Sequence, residues 1–149
     1  MKFTVATILL MLIYSSSSYN EWEIAPPENN RKSNMENSSI KPGFWKSADK
    51  NPFWITVIGD QVYWLGMNKQ SGEKKLGENW CHVGVGKIYG NRIILNWSDI
   101  PVGEDHLNGR ITVEILSETK MKVTEDSGNF GKSEWTWESD NKSFSEIGI

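Results

Sequence analysis

Between positions 43 and 138 the chain alternates short runs of aromatic and β-branched residues with polar breaks built on Gly, Asn and Asp. The runs fall at 43–47, 53–58, 62–67, 80–88, 92–98, 110–116, 121–125 and 133–138, and they hold every Trp except Trp22. Such runs have the composition of β-strands, because branched and aromatic side chains suit a pleated, half-buried surface. No window shows helical periodicity. Eight strands in succession predict an all-β domain, either a small closed barrel or a sandwich.

The later runs alternate most clearly. Ile111, Val113 and Ile115 share a face opposite Thr112 and Glu114, and Trp135 and Trp137 oppose Glu134, Thr136 and Glu138. One wet face and one packed face is the pattern of an antiparallel sheet around a core. The connections alternate too. Those at 59–61, 89–91 and 117–119 are tight, with good hairpin chemistry in Gly59-Asp60 and Gly90-Asn91. Those at 48–52, 68–79, 99–108 and 126–132 are longer. In an up-and-down meander every second connection falls at the same end, so the long loops gather at one mouth. Loops gathered on a rigid scaffold commonly build the binding site. The expected fold is an eight-stranded antiparallel up-and-down (meander) barrel spanning 43–138.

Outside those limits the chain changes character. Lys2, an apolar run at 3–14 and Ser15 to Ser18 form the pattern of a cleaved signal peptide over 1–18. Residues 19–42, with Pro26-Pro27, many Asn and few apolar groups, read as a flexible polar leader in which Trp22 and Ile24 could pack locally. Residues 139–149 read as a polar tail. The expected address is therefore secreted, extracellular or periplasmic, with no membrane association once the signal is removed.

A net charge of -3 without a basic stripe excludes a nucleic-acid partner, which requires a positive footprint. Cys81 is the one cysteine, so no intrachain disulfide is available, and between Trp80 and His82 it reads as a small buried hydrophobe. Sequons at Asn37, Asn96 and Asn141 are close to the number this composition gives by chance and decide nothing.

Catalysis needs converging groups, and the chain has no G-x-S-x-G elbow, H-E-x-x-H or phosphate loop. His82 lies on a strand and reads as an interior histidine. Asp99, Glu104, Asp105 and His106 make a polar cluster without metal-ligand spacing, which reads as a solvated turn. Asp99 stands apart, because it follows the inward Trp97 at the long-loop end. Trp54 and Trp80 open their strands, Trp97 nearly ends one, and Trp135 comes early in the last, so all four fall toward that end. Trp stacks on flat or apolar ligand faces and donates one hydrogen bond. Alternatively, these Trp fill the core, since an eight-stranded barrel is just wide enough for side chains or one small ligand.

Gly43-Phe44-Trp45 at the start of the first strand resembles the G-x-W opening of the calycin barrels, the lipocalin and avidin families. The resemblance implies a meander barrel, with the 68–79 loop in the place of the avidin lid. Avidins carry an Asn two positions after that Trp as a biotin ligand, and here Ser47 stands there. A second resemblance runs through Val57-Ile58-Gly59-Asp60-Gln61-Val62-Tyr63-Trp64, Gly90-Asn91, Trp97-Ser98-Asp99-Ile100-Pro101 and Phe130-Gly131-x-Ser133-x-Trp135. It is to a family of small secreted domains without an assigned activity.

Together these readings lead to a secreted, non-catalytic barrel that binds a small molecule or glycan at the long-loop end. The candidate ligand-binding residues are Trp54, Trp80, His82, Trp97, Asp99 and Trp135, with no catalytic residue, metal or cofactor. The alternative is a packed barrel acting as a protein- or glycan-surface interaction module. The runs 53–58 and 62–67 are apolar on both faces. Phe53, Ile55 and Val57 oppose Trp54, Thr56 and Ile58, while Tyr63, Leu65 and Met67 oppose Val62, Trp64 and Gly66. Only one face of each can enter a barrel, so the outer face from Phe53 to Met67 predicts a homo-oligomer contact or a surface covered by the leader.

Overall fold

Side-chain parity becomes architecture in the computed structural model of this chain, which describes residues 39–147. The expected signal peptide at 1–18, the expected leader through position 38 with Trp22, Ile24 and Asn37, and the last two residues lie outside the described part. The strands are β1 (Gly43–Ser47), β2 (Pro52–Ile58), β3 (Gln61–Met67), β4 (Cys81–Tyr89), β5 (Arg92–Asp99), β6 (Asn108–Ser117), β7 (Lys120–Ser127) and β8 (Glu134–Ser139). Each pairs antiparallel with the next, and β1 also pairs with β8, closing the barrel in simple sequence order. The meander is therefore the observed topology, and the long and short connections do separate to opposite ends.

The inward faces make one apolar core. Trp45, Ile55, Val62, Trp64, Ile93, Leu95, Ile111, Val113, Met121 and Trp135 are all buried within it. Parity explains the set: Ile111, Val113 and Ile115 point in from β6, and Met121 and Val123 from β7.

Two boundaries differ from expectation. Ile40, assigned by sequence to the leader, is buried in the core cluster. The Lys41 N–H donates to Glu118 O at 2.9 Å, which ties this segment to the β6–β7 turn at the tight end. The Trp45 and Trp137 indole N–H groups donate to Lys41 O and Pro42 O, each at 3.0 Å. A lone apolar residue among polar ones thus helps to close the barrel. At the other terminus, a 3₁₀ turn at Phe144–Ile147 lies against β2, with the Phe144 ring edge-on to Trp54 at 5.0 Å. Ile58, Tyr63, Val83 and Val85 remain exposed on the outer face of β2 to β4.

Candidate functional site

The mouth begins from one cross-strand row. Phe53 pairs with Gly66, Gly66 with His82, and His82 with Asp99, across β2, β3, β4 and β5. Gly66 supplies room for its neighbours. A Cβ there would stand 2.5 Å from both His82 Nε2 and a Phe53 ring carbon, so any larger residue would displace one of them. One layer deeper, a Cβ on Gly84 would collide with the Trp64 indole and Leu95. The two glycines let large rings fold over the strands, and the barrel's upper half is built from those rings.

A cavity of about 300 Å³ opens at this end. That volume lies at the lower limit for small-molecule sites, which run from roughly 300 to 1,000 Å³. Its aromatic wall is Phe53, Trp80, His82, Trp97 and Phe130. The polar part includes Ser47, Asn51, Asp99, Asp105 and Ser133. Trp80 stacks on His82 with ring centroids 4.8 Å apart and planes 13° apart, and Phe130 meets Trp97 edge-on at 5.0 Å. Below them Trp64 and Trp135 pack against Phe53 and Phe130 and make the floor.

The rim is held by the loops themselves. Asn68 is buried, and its side-chain amide donates to the carbonyls of Lys69 and Lys75 while its oxygen accepts the N–H groups of Asn79 and Trp80. Four hydrogen bonds on one side chain fix the β3–β4 loop and aim Trp80. This loop is thereby pinned at its base. The β5–β6 loop is stitched to it, since Glu104 N–H donates to Glu78 O at 3.0 Å and Asp105 N–H to Asn79 O at 2.8 Å.

Electrostatics divides the site. Burial lowers the His82 pKa from 6.5 to about 4, so the imidazole is neutral at ordinary pH. Its Nε2 has no hydrogen-bond partner among the described residues, and its Nδ1 lies 4.0 Å from Asp99 Oδ1, beyond hydrogen-bond reach. The Asp99 side chain is 3% exposed, and its Oδ2 accepts the Leu107 N–H at 2.7 Å. The indole N–H groups of Trp64, Trp97 and Trp135 are also buried without partners among the described residues. The Cys81 thiol is pushed up by burial and then by the Asp99 carboxylate, away from thiolate reactivity. The mouth thus offers aromatic rings and carboxylate oxygens. Among the described residues no three His, Cys, Asp or Glu side chains gather in a metal-binding group.

Of the sequence candidates, Trp80, His82, Trp97 and Asp99 converge on the cavity. Trp135 lies beneath it, fully buried in the floor. Trp54 does not belong to the mouth, which corrects the expectation from its place at the start of a strand. Its neighbour Phe53 takes the inward position over Gly66, so Trp54 points outward and donates to Lys142 O at 2.7 Å. Glu104, Asp105 and His106 are all exposed, as a solvated turn requires, and Asp105 also lines the cavity. Sequence reasoning missed Phe130 and treated Phe53 only as a strand residue. The available signal was an isolated aromatic between Asn129 and Gly131, both at positive φ, in a loop that turns back over the mouth.

Comparison with known proteins gives no matching family model, no matching curated protein and no matching solved structure.

Proposed function

We propose that this protein is a secreted, non-catalytic barrel that takes a small ligand into the long-loop mouth. The observation that carries the reading is the cavity of about 300 Å³ walled by Trp80, His82, Trp97 and Phe130 with Asp99 beside them. Aromatic walls with a few convergent polar groups are the usual make-up of small-ligand pockets. Two lining residues, His82 and Trp97, each bury a polar atom without a partner among the described residues, which adds support, since each costs roughly 1–3 kcal/mol when unpaired. The pinned rim favours a preformed site, which limits the ordering entropy lost on binding. The run at 3–14 supports export of the chain.

A fragment library read by thermal shift tests the proposal. Compounds that raise the melting temperature of the wild-type protein should lose that effect in a folded Trp80→Phe/Trp97→Phe variant. Hits that act equally on both proteins would place binding elsewhere and return the barrel to a packed interaction module.

A further inference from the structure

We infer that the ligand of the mouth is a small organic cation, an ammonium or amidinium carried on an apolar body, seated at Asp99 among the aromatic rings. This rests on the reading of the mouth as a ligand site and adds the chemical class.

The charges around the cavity all have one sign. Asp49, Asp99 and Asp105 line it, and among the described residues no Lys or Arg does. The nearby Lys69 Nζ donates to the Asp49 carbonyl at 2.7 Å. His82 supplies no compensating positive charge, because burial keeps it neutral. An anionic ligand would therefore meet repulsion on entering.

The Asp99 carboxylate locates the cation. Its side chain is 3% exposed, yet one oxygen alone is committed, to the Leu107 N–H. Oδ1 accepts no hydrogen bond from the described residues and stands 4.0 Å from His82 Nδ1. A buried carboxylate with a free oxygen and no counter-charge is costly. An N–H⁺ donor at Oδ1 would supply both the hydrogen bond and the charge. The rings supply the rest, because Trp and Phe present negative faces to a cation within about 6 Å. Trp80, Trp97 and Phe130 line the same cavity as that carboxylate. A neutral sugar could stack on the same rings, but it would leave the carboxylate's charge uncompensated.

Calorimetric titration with four probes tests this. 2-Phenylethylamine, 2-phenylethanol and 3-phenylpropionate share a ring and differ in charge, and a methyl glucoside represents a neutral sugar. The amine should bind at least tenfold more tightly than the alcohol, and the carboxylate most weakly. Asp99→Asn, which keeps an oxygen for the Leu107 N–H, should weaken the amine at least tenfold and leave the alcohol within about twofold. Asp105→Asn should weaken the amine by a smaller factor. Equal binding of amine and alcohol, tighter binding of the glucoside, or an Asp99→Asn variant that binds the amine normally would overturn the cation assignment and leave the ligand site standing. Failure of all four probes to bind would overturn both.

Discussion

The two ends of this barrel are made by the same strands and are built on opposite principles. At the tight-turn end the core is mainly aliphatic, Ile40 is buried against it, and the indole N–H groups of Trp45 and Trp137 both reach carbonyl partners. At the long-loop end aromatic rings replace aliphatic side chains. There the N–H groups of Trp64, Trp97 and Trp135 and Nε2 of His82 have no partner among the described residues, and a cavity opens. One end pairs its indole N–H groups and the other buries several without a partner among the described residues. The proposed function places recognition at the second.

The largest expected effect belongs to the closed end. Ile93 is 1% exposed and pairs across to Val113. Ile93→Ala should cost about 2–5 kcal/mol by denaturant titration, with ligand affinity of the remaining folded protein unchanged. An affinity loss matching the stability loss would mean that the ends are not separable.

His82 gives the mouth an acid sensitivity. The unfolded chain protonates this residue near 6.5 and the folded chain near 4. Its titration therefore leaves stability untouched above pH 6.5 and lowers it as the pH falls toward about 4. At roughly 1.4 kcal/mol per pH unit the loss approaches about 3 kcal/mol. In denaturation curves, between pH 7 and pH 4.5 wild type should lose roughly 2–3 kcal/mol more stability than His82→Phe. Parallel pH dependence in the two proteins would show that the imidazole titrates normally.

Asn68 sharpens the comparison from the rim. Removing its four hydrogen bonds with Asn68→Ala should cost about 2 kcal/mol and, unlike Ile93→Ala, should also weaken ligand binding, because Trp80 loses its anchor. Smallest is the outer face. Phe144→Ala removes one edge-on aromatic contact with Trp54 and should cost about 1 kcal/mol, with no effect at the mouth.

The barrel was legible because strand periodicity leaves a mark wherever one face is wet. Ile111, Val113 and Ile115 set against Thr112 and Glu114 could be placed correctly from spacing alone. The same logic failed at β2, where Phe53 and Trp54 are both apolar and parity has two solutions. Only the cross-strand partner decides: Gly66 leaves space beside Phe53, and that pairing is invisible in the sequence. Ile40 and Phe144 were missed for a related reason, since an isolated apolar residue in a polar stretch shows no period. The mouth was legible through chain position, which brought Trp80, His82, Trp97 and Asp99 together. Phe130 was not, because a loop aromatic acquires its place only when the backbone turns at Asn129 and Gly131.

Indole N–H resonances observed by NMR during ligand titration compare the two ends directly. Trp97, beside the cavity and unpartnered, and Trp80, in its wall, should shift, while Trp45 and Trp137, bonded to Lys41 O and Pro42 O at the far end, should stay fixed. Shifts confined to the mouth signals are the result expected here. Unmoved Trp80 and Trp97 signals, with perturbation at Trp54 on the outer face instead, would contradict the placement of recognition at the long-loop end.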